Sequence, residues 1–432
     1  MIMQSYSKAN EYLTPLSSLR SKHLNKSFLS EEELKWVRGE EEAIIQLDHP
    51  NIVNYIDTYQ DNKHIFIVTQ FVEGETLHQN ITRKGWYQEL EAAPVFHEIC
   101  CAINHIHAKN MAHMNLKPQN IIINEQNHIV VVNFGLSEKI QSKKMTSLYL
   151  SSPSPIKQVI NSVKSPKAED IYSMGIILYF MLCGELPFED ETSDHLSFDS
   201  EEWPRLSDPA RSLIKEMLSN NYDNRPSASN IFKSEWFSEM KIGDAAEEEW
   251  DEEVLQQILQ FRWPSVMRLG SLNLMVQFMK IDEFVELHNE FTKFDPNQDG
   301  IIKYKEFKKQ FMLVFPKLKE SKIREAFDRI DIDGNNKWTY SDFLVVTLER
   351  SHFFSQELVG SLFRKFDRKS TERITPEDVE REFKTINSLL YQNELHGNKG
   401  LTTEQKYQIK TVDFNNKKSM TFKQFEDFLL DF

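Results

Sequence analysis

The hydrophobic positions of this chain follow two different patterns in its two halves. In the stretch NIVNYIDTYQDNKHIFIVTQF (51–71), two runs of β-branched and aromatic residues flank the polar turn QDNK, which predicts two strands. Val95, Ile99 and Ile103 then recur at helical spacing and predict a helix. The stretch EDIYSMGIILYFML is apolar on all sides, which predicts a helix at the centre of a core. Its apolar run is far shorter than the ~20 residues needed to span a bilayer.

A second pattern begins near residue 281, where a helix, a polar loop and a helix recur four times. The loops begin at Asp295, Asp331, Asp367 and Asp413. The first three starts are evenly spaced, and an insert delays the fourth. A repeat of this kind indicates one helix–loop–helix unit used four times. The acidic stretch GDAAEEEWDEEVLQQILQ before it is typical of a solvated helical face and also marks a boundary.

The first loop, DPNQDGIIKYKE, matches a twelve-residue EF-hand calcium loop. Such a loop needs side-chain oxygens at positions 1, 3, 5 and 12, a backbone carbonyl at 7 and a glycine at 6. The expected ligands are Asp295, Asn297, Asp299, the carbonyl of Ile301, and Glu306, with Gly300 at the turn. The alternative, a chance acidic turn between two helices, does not account for the full match.

The second loop, DIDGNNKWTYSD, is a weaker match. The expected ligands are Asp331, Asp333, Asn335, the carbonyl of Lys337, and Asp342. Asn336 replaces the glycine, and asparagine tolerates the left-handed conformation better than most residues. Asp342 is one methylene shorter than glutamate and reaches the ion less well. The loop therefore predicts weak Ca²⁺ binding or Mg²⁺ binding, with no metal as the alternative.

The third and fourth loops have lost their ligands. Lys369 occupies position 3 of the third loop, and Lys417 occupies position 5 of the fourth. Lysine offers no acceptor to a cation, so these loops are expected to pack against their partners without metal. An apolar eighth residue survives in all four loops, which predicts a short strand contact within each pair. These residues are Ile302, Trp338, Ile374 and Met420.

The charge and the cysteine count of the chain indicate which partners and which compartment to expect. The chain has 66 acidic and 51 basic residues and a formal net charge of −15, which disfavours non-specific binding to nucleic acid or anionic membranes. Three cysteines are too few for a disulfide framework. The N-terminus shows no secretory signal. The sequence therefore predicts a cytoplasmic protein with protein partners.

The first half carries ordered motifs of a known family. The segments LDHPNIV, HMNLKPQNIIIN, NFG, EDIYSMGIILYFMLCGELPF and NRPSASNIFKSEWF occur in the order and spacing of a protein kinase. With the EF-hand tail, the chain resembles the calcium-dependent protein kinases of plants and protists. The resemblance implies an α+β, bilobal protein-kinase-like domain with a truncated N-lobe, followed by an all-α EF-hand domain. The implied parts are an N-terminal tail and truncated N-lobe (1–73), a C-lobe (74–240), an acidic linker with a junction helix (241–280) and a calmodulin-like domain (281–432).

The resemblance also identifies what the catalytic site has lost. Lys117 matches the phosphate-contacting lysine, Asn120 the metal-binding asparagine, and Asp170 the aspartate that holds the catalytic loop. Asn115 stands where the family has its catalytic aspartate, and Asn133 where it has its Mg²⁺-binding aspartate. An amide cannot accept the substrate proton, and such general-base help is worth ~10²–10⁴ in rate.

The nucleotide-binding parts of the N-lobe also depart from the pattern of the family. The first glycine is Gly39, so no glycine-rich hairpin over the phosphates is expected. Glu40 matches the helix glutamate, but its lysine partner has no counterpart, since the alignment puts Ser17 near that place. ATP is therefore not an expected cofactor.

These observations favour a calcium-binding pseudokinase that acts as a regulatory or scaffolding component. One alternative is an active calcium-dependent serine/threonine kinase with divergent catalytic residues. A further alternative is a structural part of a cytoskeletal or ciliary assembly.

Overall fold

The structure is a computed structural model that describes ten stretches of the chain. These are residues 19–29, 31–133, 165–188, 196–242, 250–261, 265–279, 285–331, 335–347, 356–390 and 403–430. In these stretches no helix combines the length and the apolar character needed to cross a membrane. All three cysteines lie in them as buried free thiols.

The N-terminal layer is an antiparallel sheet covered by one helix. Its strands are β1 (Leu19–Asn25), β2 (Tyr55–Gln60) and β3 (His64–Gln70), in the order β1-β3-β2, and the helix is α1 (Glu31–Ile44). Asp61 closes the turn between β2 and β3, because its carboxylate accepts hydrogen bonds from the N–H groups of Lys63 and His64, each at 2.7 Å. Val37 of α1 packs with Ile67 of β3. The two strands predicted around the turn QDNK are therefore present.

The central part of the chain forms a mainly helical lobe. Its helices are α2 (Leu77–Lys84), α3 (Glu89–Ala108), α4 (Pro166–Cys183), α5 (Asp208–Met217), α6 (Ala228–Ile231) and α7 (Glu235–Glu239), and its small sheet has strands β4 (Glu75–Thr76), β5 (Ile121–Ile123) and β6 (Ile129–Val131). The helix predicted at the centre is α4, which is buried along most of its length. It ends at Gly184 with φ +75°, where a Cβ would lie 2.3 Å from the carbonyl oxygen of Gly85. Only glycine fits that position.

Two helices connect the helical lobe to the C-terminal part. They are α8 (Glu252–Gln260) and α9 (Val266–Val276). They replace the single junction helix expected between residues 241 and 280. The second helix has its own N-terminal cap, since the hydroxyl of Ser265 accepts a hydrogen bond from the N–H of Arg268 at 3.4 Å. A side chain that caps a helix favours a new helix at that residue over continuation of the previous one.

The C-terminal part is a module of helix–loop–helix units. Its helices are α10 (Val285–Phe294), α11 (Tyr304–Val314), α12 (Glu320–Asp328), α13 (Tyr340–Thr347), α14 (Gln356–Phe366), α15 (Pro376–Leu390), α16 (Thr403–Gln408, followed by a π turn at Ile409–Asp413) and α17 (Phe422–Leu430). Short antiparallel strands join the loops in pairs, β7 (Ile302–Lys303) with β8 (Lys337–Trp338) and β9 (Arg373–Ile374) with β10 (Met420–Thr421). Ile302 stands opposite Trp338, and Ile374 stands opposite Met420. The strand contacts predicted from the apolar eighth residues are confirmed.

The N-terminal sheet and the helix–loop–helix module share a hydrophobic core. Ile56 of β2 and Val68 of β3 are buried in the same cluster as side chains of α8, α9 and the module. Because successive side chains of a strand point to opposite faces, Val68 lies on the face opposite Ile67. The sheet is therefore covered by α1 on one face and by the C-terminal part of the chain on the other.

Candidate functional site

The loop that carries Asn115 is held in place by Asp170 of α4. The Asp170 carboxylate accepts hydrogen bonds from the N–H groups of His113 at 2.7 Å and Met114 at 2.8 Å. It also lies 2.9 Å from Nε2 of His107. Asp170 is 1% exposed, so water competes little with these charge-assisted hydrogen bonds. The holding role that the resemblance implies for Asp170 is visible in these contacts.

Three asparagines meet where the resemblance places the catalytic base and the metal. Nδ2 of Asn120 donates to the carbonyl oxygen of Asn115 at 2.8 Å, which turns Oδ1 of Asn120 toward Asn133. Nδ2 of Asn133 donates to that oxygen at 3.3 Å. The oxygen expected to bind a metal ion therefore has an N–H group as its neighbour. An amide adds no negative charge and its N–H group repels a cation, so this pair is a poor site for Mg²⁺.

A cavity of about 160 Å³ lies between the N-terminal sheet and the helical lobe, next to Asn133. Arg20, Ser21 and Lys22 of β1 line it together with core side chains such as Val132. Small-molecule pockets usually enclose about 300–1,000 Å³, which is more than this cavity does. No sequence motif marks Arg20 and Lys22, because only the pairing of β1 with β3 brings them to this cavity.

The remaining residues of the expected nucleotide site are only partly described. Lys117 is half-buried in extended backbone directly before the short turn Pro118–Asn120. Ser17 lies outside the described residues, and so does the side chain of Glu40 in α1.

Loop 1 (residues 295–306) follows the backbone path that the sequence predicts. Gly300 has φ +73°, and its N–H group donates to Oδ2 of Asp295 at 2.6 Å. The N–H group of Asp299 donates to Oδ1 of Asp295 at 3.3 Å, and Nδ2 of Asn297 donates to Oε1 of Glu306. Asp295 is 2% exposed. Burial, followed by the charge of Asp299, raises the pKa of Asp295 to about 7.

The carboxylates of loop 1 face an ammonium group of the same loop. Nζ of Lys303 lies 2.5 Å from Oδ2 of Asp299 and 3.8 Å from Oε1 of Glu306. The N–H group of Ile301, whose carbonyl is an expected ligand, donates to Oδ1 of Asp299 at 3.2 Å. In the part of the chain that the structure describes, no three His, Cys, Asp or Glu side chains already converge as metal ligands. The oxygen donors of loop 1 suit Ca²⁺, but they are engaged by Lys303 and by N–H groups of the loop.

Loop 2 (residues 331–342) also has the predicted backbone and contains an unsatisfied oxygen. Asn336 has φ +59°, and its N–H group donates to Oδ2 of Asp331 at 2.9 Å. Oδ1 of Asp331 is buried and has no hydrogen-bond partner among the described residues, which suits a site for a cation. Oδ2 of Asp342 accepts a hydrogen bond from the N–H group of Thr339 at 2.9 Å. The remaining predicted ligands are Asn335 and Lys337, which are exposed, and Asp333, which lies outside the described residues.

Loops 3 and 4 use their first aspartates for hydrogen bonds within the protein. In loop 3 (residues 367–378), Asp367 accepts hydrogen bonds from the N–H groups of Thr371 at 2.9 Å and Glu372 at 2.7 Å. In loop 4 (residues 413–424), Asp413 accepts one from the N–H group of Met267 in α9 at 3.3 Å. That both loops pack without metal stays a prediction.

Loop 1 rests directly on α3 of the helical lobe. Nδ2 of Asn104 donates to the carbonyl oxygen of Asn297 at 3.1 Å, and Nδ1 of His105 lies 2.7 Å from the carbonyl oxygen of Asp299. Burial lowers the pKa of His105 to about 3, so its ring is neutral and donates this hydrogen bond. A Cβ on Gly300 would lie 2.4 Å from Nδ1 of His105. The loop therefore approaches α3 as closely as glycine allows.

Loops 2 and 3 contact the N-terminal part of the chain. Asp48, which follows α1, accepts hydrogen bonds from the N–H group of Ser341 at 3.1 Å and from its hydroxyl at 2.9 Å. Nη2 of Arg368 in loop 3 lies 3.0 Å from Oδ2 of Asp57 in β2. Asp48 and Ser341 are 293 positions apart in the sequence, and Asp57 and Arg368 are 311 positions apart. No local sequence pattern links residues at such separations, so these contacts could not be predicted from the sequence.

Known proteins resemble this chain over most of its length. The protein kinase domain family matches residues 17–237. Two relatives from Arabidopsis thaliana are Calcium-dependent protein kinase 33, 29% identical over 343 residues, and Calcium-dependent protein kinase 9, 30% identical over 343 residues. Both alignments cover 77% of this chain, and they cover 66% and 63% of the relatives. Calcium-dependent protein kinase 5 of Plasmodium falciparum (isolate 3D7) is 27% identical over 347 residues, covering 77% of this chain and 61% of the relative.

The chain thus spans just under two thirds of the length of these three relatives. The kinase family match covers just over half of the chain. It includes the loop held by Asp170 and the asparagines that meet beside it. The chain therefore belongs to the protein kinase family, and the relatives named here are calcium-dependent protein kinases.

Proposed function

We propose that this chain is a calcium-binding member of the protein kinase family that does not transfer phosphate and acts as a regulatory or scaffolding protein. The observation that carries the proposal is the 3.3 Å hydrogen bond from Nδ2 of Asn133 to Oδ1 of Asn120. Phosphoryl transfer by kinases depends on metal ions that neutralise the charge of the phosphates. Two amides joined in this way supply no negative charge to hold such an ion.

The missing base and the small cavity support the same conclusion. Asn115 occupies the place of the catalytic aspartate and cannot accept the proton of a substrate hydroxyl. The cavity beside Asn133 encloses about 160 Å³, which is small for ATP. Catalysis of phosphoryl transfer consists almost entirely of positioning and electrostatic stabilisation. Losing the base and a metal ligand together should therefore leave negligible activity.

Loop 1 supplies the calcium-binding part of the proposal. In this proposal Ca²⁺ binds the side-chain oxygens of Asp295, Asn297, Asp299 and Glu306 and the carbonyl of Ile301, while loop 2 takes Ca²⁺ weakly or Mg²⁺. The side chain of Asp299 would face the ion, while its carbonyl oxygen is bonded to His105 of α3. A movement of Asp299 on binding of the ion would therefore be transmitted to α3 of the helical lobe through this single residue. The coupling of calcium to a kinase-like lobe is the basis of the regulatory role.

The proposed partners are proteins. A net charge of −15 opposes binding to nucleic acid and to anionic membranes. The proposed location is the cytoplasm, which suits a chain with three cysteines that are all free thiols.

The experiment uses the full chain, calorimetric titration and radiolabelled ATP with Mg²⁺. We expect one or two calcium sites, no stoichiometric binding of ATP, and no phosphate transfer with or without calcium. The double variant Asn115→Asp, Asn133→Asp restores both carboxylates, and nucleotide binding that appears only in this variant would identify the amides as the cause. Transfer by the wild type that is lost in the variant Lys117→Ala would instead establish an active calcium-dependent serine/threonine kinase.

A further inference from the structure

Lys303 occupies an unusual place in loop 1. It is the ninth residue of the loop, and its ammonium group lies 2.5 Å from Oδ2 of Asp299 and 3.8 Å from Oε1 of Glu306. These two side chains stand at positions 5 and 12, which are the positions that bind calcium in such loops. The Lys303 side chain is 38% exposed, and that of Glu306 is 14% exposed. The ammonium group is therefore partly sheltered from water between two expected calcium ligands.

The backbone of the loop explains why the ammonium group lies there. Lys303 ends β7, and its N–H group donates to Oε2 of Glu306 at 2.9 Å at the start of α11. This hydrogen bond holds the backbone of Lys303 beside the Glu306 carboxylate. Without a cation, the carboxylates of Asp295, Asp299 and Glu306 would repel one another in a loop that is buried against α3. A positive charge among them removes this repulsion.

We infer that Lys303 is an internal counter-ion of loop 1, which keeps the loop folded on α3 without a metal and weakens its affinity for calcium. The inference rests on the proposed function, because it takes loop 1 to be the calcium site. Calcium must displace the ammonium group from Asp299 and Glu306 before it can use their oxygens. The affinity of such loops depends on their ligand charge, and Lys303 cancels one of three negative charges.

The test compares three substitutions in the full chain. Lys303→Met removes the charge and keeps the length of the side chain, and Lys303→Arg keeps the charge. Lys305→Met is the matched control, since it changes the net charge equally at an exposed residue outside the ring of ligands. The measurements are calcium affinity by calorimetry at fixed ionic strength and the melting temperature in a chelator.

We expect Lys303→Met to bind calcium about tenfold more tightly than the wild type, because the ligand charge rises. The variants Lys303→Arg and Lys305→Met should remain within about twofold of the wild type. In a chelator Lys303→Met should melt at a lower temperature than the wild type, and calcium should reverse that order. A role in packing alone would not produce this reversal. Adding Glu306→Gln to Lys303→Met should abolish the tighter binding, which assigns it to loop 1.

Three outcomes would overturn the inference in distinguishable ways. Equal calcium affinity for Lys303→Met and the wild type would remove the counter-ion role and leave the calcium site intact. Tighter binding by Lys305→Met as well would mean that net charge alone sets the affinity. Absence of calcium binding in every variant would overturn the proposed function together with the inference. If Lys303→Met fails to fold, the smaller neutral variant Lys303→Thr provides the same comparison.

Discussion

Replacing Arg368 by alanine should destabilise the chain, although loop 3 is not an expected metal site. The guanidinium group of Arg368 joins two acidic residues from distant parts of the sequence. Its Nη2 atom lies 3.0 Å from Oδ2 of Asp57 in β2, and its Nε atom lies 2.7 Å from Oε1 of Glu382 in α15. Burial alone would lower the pKa of Arg368, but the charges of Asp57 and Glu382 outweigh it and raise the pKa. A loop that is not an expected calcium site thus joins the N-terminal sheet to the module.

The size of the destabilisation by Arg368→Ala follows from the burial of the two carboxylates. The side chains of Asp57 and Glu382 are 7% and 0% exposed. Removing one partner from a fully buried ion pair costs about 3–5 kcal/mol. Arg368 is 36% exposed, and Nε of Arg381 remains 3.0 Å from Oε1 of Glu382, so part of the loss is compensated. We therefore expect the free energy of unfolding to fall by about 1.5–3 kcal/mol.

The assay is urea unfolding of the full chain, followed by circular dichroism and tryptophan fluorescence. Arg373→Ala is the matched control, because Arg373 belongs to the same loop but is exposed, and its hydrogen bond to the hydroxyl of Ser419 lies at the surface. Its effect should stay within about 0.5 kcal/mol. A double-mutant cycle with Asp57→Asn should give a coupling energy of about 1 kcal/mol between Asp57 and Arg368. The destabilisation by Arg368→Ala and the coupling energy should each have the same value with and without calcium.

Either of two results would contradict this role of Arg368. If Arg368→Ala and Arg373→Ala destabilise the chain equally, burial of the carboxylates does not set the cost. If the cycle shows no coupling between Asp57 and Arg368, loop 3 does not hold the sheet.

The close contact of loop 1 with α3 and the burial of His105 give two further predictions. Gly300→Ala should lower the free energy of unfolding by about 2–4 kcal/mol because of the positive φ and overpacking, since its Cβ would lie 2.4 Å from His105 and 2.7 Å from His49. Gly360→Ala inside α14 is the control and should stabilise the chain slightly. Equal melting temperatures for the two variants would contradict this prediction. The free energy of unfolding should also fall as the pH drops from about 6.5 toward 3, because burial lowers the pKa of His105 to about 3 and only the unfolded chain takes up the proton. His105 contributes up to about 1.4 kcal/mol per pH unit. The pKa of Asp295, raised to about 7, acts in the opposite direction. Burial also lowers the pKa of four other histidines, which act together with His105 and outweigh Asp295, namely His49, His97, His113 and His288. Urea titrations at pH 7 and 5.5 should therefore show a weaker pH dependence in His105→Gln than in the wild type, and an unchanged dependence would contradict the assignment.

Features that depend on neighbours within a dozen residues could be predicted from the sequence. The positive φ angles of Gly300 and Asn336 follow from the sharp turn that a calcium loop makes at its sixth residue. The central helix α4 follows from an apolar stretch with no polar face. The asparagines at positions 115, 120 and 133 were identified from ordered motifs, but their mutual hydrogen bonds were not, since residue identity does not state which way an amide points.

Residue types and their spacing were enough to predict the repeated loops, the paired eighth residues and the loss of two carboxylates from the kinase site. Three contacts became visible only in the folded chain: loop 1 lies on α3, Asp57 meets Arg368 across 311 positions, and the Lys303 ammonium lies between Asp299 and Glu306. The difference arises because periodicity and turn chemistry act over short stretches of chain. Contacts between distant segments depend instead on how whole buried surfaces fit together, and no single stretch of sequence records that fit.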